Sequence, residues 1–393
     1  NIKMNKKYYP SAFILYLNFF IHGIGASILS QYKADLAIQW NCSAEQVLLV
    51  IAAMGLGRLI TLPFSGPLSD KLGRRISTLI GILAYAVYFV GVVYAPNMYL
   101  AYIAAIIGGA ANSFLDTGVI PACVEILKPN SGLATLCTKL GISLGQLVLP
   151  YMILFVADNN MSFRTLFILM AVCIAIIGVL VVKLPLPKDE KEEGKEEGFF
   201  EKLKHAKFTP ESIALILIGF TCTSTFQLWL NCNQELGKMA GMTNPQTIQT
   251  YYATGTILAV LLTAVLVKKI KQVRFLAVYP LCALLSLVAV YFVQTPLMCQ
   301  VVGFLMGFFA AGGVLQLATA TVNDLFPQIK GTITSIIMIA SSLANYLILS
   351  LASVVSAGSG PLGVVILNIV ITGLGVILAI FVNMRFNKLI EKV

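Results

Sequence analysis

The chain is expected to be an all-α polytopic membrane protein, with twelve transmembrane helices in two pseudo-symmetric six-helix bundles. Three observations carry that expectation. Hydrophobic residues make up 58% of the 393 and charged residues only 11%, too few charges to cover a water-facing surface. Apolar runs long enough to cross a bilayer as a helix, about 20 residues each, recur twelve times along the chain. The two halves resemble each other when shifted by about 200 residues, the kind of internal repetition that marks membrane carriers.

The runs cover approximately 10–38, 44–65, 76–94, 98–127, 131–156, 164–184, 210–237, 246–267, 274–293, 297–325, 331–356 and 361–385. Helices are the default because lipid offers backbone groups no hydrogen-bonding partner, and the runs are too long for barrel strands. A basic region, a hydrophobic run and a small-residue cleavage site do not occur in signal-peptide order, so the first run is expected to be a span. The repeat is visible in Pro10 against Pro210, in SQYKADLA against NCNQELGK, and in EILKPNSG against DLFPQIKG. The stretch PLPKDEKEEGKEEGFFEKLKHAKF is the one long hydrophilic segment and falls between spans six and seven. The organisation expected is an N-terminal bundle over 1–184, a cytoplasmic linker over 185–209 and a C-terminal bundle over 210–393.

Net charge +10 would suggest nucleic acid in a soluble chain, but its placement points to membrane topology. Cytoplasmic loops retain Lys and Arg. With the N-terminus inside, 22 of the 27 basic residues fall in inner segments, so both termini are expected in the cytoplasm and the chain in a bacterial plasma or inner membrane. Most of the eight cysteines lie within spans and read as small apolar packers, Cys42 being in an outer loop. No metal, cofactor or nucleic-acid partner is expected. The expected partners are the bilayer, a small-molecule substrate and protons, with the chain acting as a monomer.

The decapeptide GPLSDKLGRR stands between spans two and three, and by itself could be a solvated turn. It resembles the signature of the major facilitator superfamily at that place, with Gly66, Leu68, Asp70, Gly73, Arg74 and Arg75 filling the pattern positions. The resemblance implies an alternating-access secondary transporter and a cytoplasmic gate of Gly66, Asp70, Gly73, Arg74 and Arg75, with Glu125 as partner. The glycines are expected to turn the loop and let helices approach; the carboxylate and guanidinium groups are expected to pair in one conformation and release in another. VLVKKIKQVRFL in the second half puts Lys268 where Asp70 would map, so the lock is expected to be asymmetric. Ala104 stands where proton-driven exporters of the family often carry Arg, and Gln146 where exporters carry Pro. Both departures favour uptake. The segments FFIHGIGASILSQ and ANSFLDTG also resemble a little-characterised bacterial branch of the family associated with quinate and shikimate metabolism.

Ionisable groups at lipid depth are functional candidates until paired off. Arg58, Asp116 and Lys139 fall at similar depths in spans two, four and five, and antiparallel packing could bring them together. Two readings stay open: a structural ion pair holding helices in register, or an anion site in which Asp116 carries a proton. His22 in span one is either a second proton site or a neutral hydrogen bonder between helices. Gln227 and Asn231, four apart, share a face of span seven. In the family, spans one, four, seven and ten line the central cavity, which raises Asn18, His22, Asn112, Gln227, Asn231 and Gln316; Asn345 in span eleven joins Arg58 and Lys139 as a further binding candidate.

A charged wall and an amide-rich wall suit a hydroxylated carboxylate, so the expected function is proton-coupled uptake of a small polar organic anion. Proton-coupled export of amphipathic compounds and neutral sugar symport are the alternatives. An enzyme is not expected, because no nucleophile or metal cluster occurs, and no Gly-rich phosphate loop points to ATP.

Overall fold

The computed structural model describes residues 6–128, 131–187 and 199–390. Among these residues there are helices and connections but no strand. The stretch 188–198 of the expected linker lies outside the described residues. The chain forms two compact units, Asn1–Glu190 and Lys191–Val393.

In the N-terminal unit the helices are α1 (Tyr9–Gln31), α2 (Lys33–Trp40), α3 (Ala44–Leu72), α4 (Arg74–Tyr94), α5 (Met98–Ile126), α6 (Ser131–Asp158) and α7 (Arg164–Lys183). Their starts follow from local chemistry. Pro10 sits at the first turn of α1, where its missing N–H leaves no helix bond unmade. Ser43 and Gln46 close a capping box at α3, and the Asn97 side chain accepts from Leu100 N–H at α5. The first span, expected as one helix over 10–38, is broken at Tyr32, which leaves helical geometry with φ −111° and ψ 28°. A short helix then carries the chain to Asn41, in the left-handed conformation an asparagine tolerates.

The C-terminal unit comprises α8 (Phe199–Lys204), α9 (Pro210–Met239), α10 (Thr247–Leu266), α11 (Gln272–Phe292), α12 (Pro296–Met306), α13 (Val314–Asp324) and α14 (Lys330–Ile390). Thr209 and Ser212 form a capping box at α9, and Thr295 caps α12. The last helix holds two spans across a kink at Gly360, whose φ of 70° precedes Pro361. Span ten, expected as one helix over 297–325, is divided: a π-helical turn over Gly307–Ala311 and Gly313 at φ 115° separate α12 from α13.

The same close packing recurs in both units. A Cβ on Gly57 would collide with the Ile106 carbonyl oxygen, and one on Gly109 with the Met54 carbonyl oxygen, so α3 and α5 meet backbone to backbone. Gly255 and Gly307 hold the corresponding places in the repeat and face the carbonyls of Phe304 and Tyr252 in the same way. Lipid supplies no hydrophobic drive between helices, and small residues that allow this approach are what hold such bundles together.

Candidate functional site

The α3–α5 seam positions the principal charged pair. Because Gly109 lets α5 close against the Met54–Arg58 turn of α3, Arg58 reaches Asp116: its Nη2 donates to Oδ2 at 2.7 Å. The two side chains are 19% and 20% exposed, so the pair is sheltered without being sealed. Hydroxyls continue the seam, with Ser65 and Ser113 bonded at 2.7 Å and Ser69 donating to the Thr117 carbonyl.

His22 lies buried on α1, and its Nδ1 shares a hydrogen bond with the Tyr85 hydroxyl of α4. Of the expected trio the structure brings together Arg58 and Asp116, as an ion pair; Lys139 stands on α6. Asn18, fully buried, donates to the Leu15 carbonyl of its own helix, while its Oδ1 has no hydrogen-bond partner. Asn112 is half-buried on α5, one turn before Asp116 and on the same face.

The GPLSDKLGRR segment departs from the loop expected. Helix α3 runs on through Gly66 and Asp70 to Leu72, and Gly73 alone makes the turn, with φ 104°. Gly66 faces open space, so it permits no close approach. Arg74 at the start of α4 donates to Asp70 Oδ1 at 2.7 Å and to Ser69 Oγ at 3.0 Å, and lies 3.7 Å from the Glu125 carboxylate. One guanidinium therefore joins the ends of α3 and α5. Arg75 turns the other way and donates to the Leu184 carbonyl after α7.

In the C-terminal unit Asn231 donates to both the backbone carbonyl and the side-chain Oε1 of Gln227 at 2.9 Å. Gln316 Oε1 on α13 and Asn345 Oδ1 on α14 are buried acceptors without a partner, as are the Trp229 Nε1 donor and Ser342 Oγ. Span seven is fastened by Thr223 to Ser341 at 2.7 Å and by Thr225 to Thr372 at 2.8 Å. Gln272 donates to Asp324 at 3.0 Å, and Arg385 binds the buried Glu211 at 2.9 Å.

Two features escaped sequence reasoning. Tyr85 lies in a span not credited with lining the cavity, and a tyrosine in mid-span instead of at the interface was its one signal. Glu211 looks like a solvated acid after Pro210, and only the fold brings Arg385 to it.

A chain of many apolar spans with hydrogen-bonding and charged groups at lipid depth belongs to the class of multi-pass small-solute carriers. The family model of the Major Facilitator Superfamily matches residues 15–244. The chain is 34% identical to the uncharacterised MFS-type transporter YfkL of Bacillus subtilis, with 95% of this chain and 96% of that protein covered. It is 30% identical to the inner membrane transport protein YdiN of Escherichia coli, covering 95% and 90%. Its fold matches the solved xylose transporter XylE from E. coli with a TM-score of 0.72 at 18% identity, over 95% of each chain.

The chain belongs to the Major Facilitator Superfamily. It is a multi-pass secondary transporter of a bacterial membrane that binds small molecules, and it is not an enzyme.

Proposed function

We propose proton-coupled uptake of a small hydroxylated organic anion by alternating access of two bundles, 1–184 and 210–393, joined by the 185–209 linker. The chain acts as a monomer with both termini in the cytoplasm. The observation that carries the reading is the sheltered Arg58–Asp116 pair, with Lys139 on α6 as a second cation of the same unit. A carboxylate ligand would compete with Asp116 for the cations, and in a low-dielectric setting that competition is far stronger than in water. Released from Arg58, Asp116 would accept a proton, so anion binding and protonation are linked.

Asn18, His22 and Asn112 supply further polar contacts from the N-terminal unit. Gln227, Asn231, Gln316 and Asn345 supply neutral hydrogen bonds for hydroxyls, which fits quinate-like ring acids. Ala104 and Gln146, standing where exporters carry Arg and Pro, support uptake. Asp70, Arg74 and Glu125 form the cytoplasmic gate, and Gly73 its turn.

The test compares quinate with its amide by thermal shift on detergent-purified protein. Arg58→Gln and Lys139→Gln should each weaken acid binding by about tenfold or more, the loss of one sheltered charge contact, and amide binding far less. Equal losses for both ligands would make the cations structural partners of Asp116 and leave a neutral sugar as the better substrate class.

A further inference from the structure

We propose that the turn between α10 and α11 binds an anionic phospholipid, whose phosphate headgroup is held by Lys268, Lys269, Lys271 and Arg274. The inference goes beyond the transport reaction proposed above and does not depend on the solute carried.

Helices α10 and α11 are both long and apolar enough to cross a membrane, so the turn that joins them, 267–271, stands where the hydrocarbon gives way to the headgroups. Its geometry is tight. The N–H groups of Lys269 and Ile270 donate to the Leu266 carbonyl at 3.0 and 2.9 Å, and that of Arg274 donates to the Lys271 carbonyl at 3.0 Å. Four cations are thereby held within seven residues, and all four are exposed.

Little within the unit neutralises this charge. Between Glu235 and Asp324 the sequence carries no acid. Asp324 adjoins the turn, where it accepts from Gln272 at 3.0 Å, and one acid against four cations leaves a net positive charge. Lys268, Lys269 and Arg274 have no ion-pair partner among the described residues. The corresponding turn of the N-terminal unit is built the opposite way, with Arg74 beside Asp70 and Glu125 and Arg75 on the Leu184 carbonyl.

Helix stability does not explain the cations, because Lys271 and Arg274 stand at the start of α11, the end where the helix dipole disfavours positive charge. Membrane insertion favours cations on one side, yet it does not require that they stay unpaired once the bundle has folded.

The apolar neighbours select the kind of anion. Ile270 is 40% exposed in the midst of the four cations, and Val265, in the last turn of α10, is 58% exposed. A free phosphate ion would gain nothing from either. A phospholipid would lay its acyl chains along Val265 and Ile270 while its phosphate oxygens accept from the ammonium and guanidinium groups.

The test is binding of phosphatidylglycerol to the detergent-purified full chain, counted by native mass spectrometry, with phosphatidylcholine and inorganic phosphate as comparison ligands. Phosphatidylglycerol should bind at least about tenfold more tightly than phosphatidylcholine, and inorganic phosphate in large excess should not displace it. K268Q/K269Q/K271Q should weaken phosphatidylglycerol binding by about tenfold or more and leave the lipid-free melting temperature unchanged. The control K6Q/K7Q/K71Q removes as many exposed cations from the N-terminal unit and should weaken it by less than about twofold. Should the first variant fail to insert, a photoreactive phosphatidylglycerol on the unaltered chain supplies the second reading: its adducts should concentrate in 261–274 and be competed by phosphatidylglycerol, not by phosphatidylcholine. Equal losses in the two variants, no preference over phosphatidylcholine, displacement by inorganic phosphate, or adducts spread without preference for 261–274 would each overturn the proposal.

Discussion

Gly57 and Gly109 in one unit, and Gly255 and Gly307 in the other, make the same backbone contacts at equivalent places in the repeat. What stands beside them differs. Arg58 follows Gly57 and binds Asp116 across the seam, whereas Thr256 follows Gly255 and donates to the Gly307 carbonyl at 3.1 Å. In the register that aligns these glycines, Val314 takes the place of Asp116. The duplicated scaffold is kept and the charge is not. Helix packing therefore does not need the ion pair, since hydroxyls and close backbones do the same structural work in the C-terminal unit, and this weighs against a purely structural role for Arg58 and Asp116.

The same contrast recurs at the helix ends. Arg74 joins Asp70 and Glu125 in the first unit, while its counterpart in the same register, Gln272, makes a neutral-to-charged bond with Asp324. At the start of span one Ser11 donates to the Pro185 carbonyl at 2.8 Å; at the start of span seven its counterpart Glu211 takes Arg385. In the second unit, where Lys268 stands in the place of Asp70, an amide hydrogen bond to Asp324 thus replaces the ion pairs of the first.

The largest effect should come from attacking what the units share. Gly109→Val and Gly307→Val each place a side chain into an opposing carbonyl and should destabilise by at least about 3 kcal/mol, seen as loss of cooperative thermal unfolding in detergent. Sharply unequal losses would break the equivalence of the two seams. Next, Arg385→Gln leaves the Glu211 carboxylate buried without its cation. Arg385 is 53% exposed, so screening limits the loss to about 1–2 kcal/mol. Ser11→Ala, removing a neutral bond at the equivalent position, should cost under about 1 kcal/mol by the same melting assay. The smallest effect is a gain: Gln272→Arg should pair with Asp324 and add no more than about 1 kcal/mol to the stability of the C-terminal unit.

Much of this was legible beforehand for physical reasons. Span count follows from hydropathy, because lipid leaves the chain no other option, and the repeat follows from proline and turn chemistry at span ends. An ion pair at mid-span was legible from the depths of Arg58, Asp116 and Lys139, but the sequence left open whether Asp116 takes Lys139 or Arg58, and the fold selects Arg58. Breaks inside spans were not. Tyr32 carries no breaker signal, and the second break is signalled only by the Gly312–Gly313 pair, whose Gly313 takes a φ of 115° within an otherwise apolar run. Gly66 faces open space despite its place in the motif, because a close approach depends on the neighbouring helix and not on the glycine itself. Tyr85 was hidden because its role lies in one hydroxyl among many apolar neighbours, and hydropathy does not register a single buried donor.

The central claim is that the charge confined to the N-terminal unit couples a proton to an anion. The most direct measurement is uptake of labelled quinate into proteoliposomes carrying Asp116→Asn, driven either by a pH gradient or by quinate on the opposite side. A neutral amide mimics only the protonated carboxyl, so gradient-driven accumulation should vanish while downhill exchange persists. Accumulation that survives in Asp116→Asn would contradict the claim and place the coupling proton elsewhere, with His22 and then Glu125 the next groups to test.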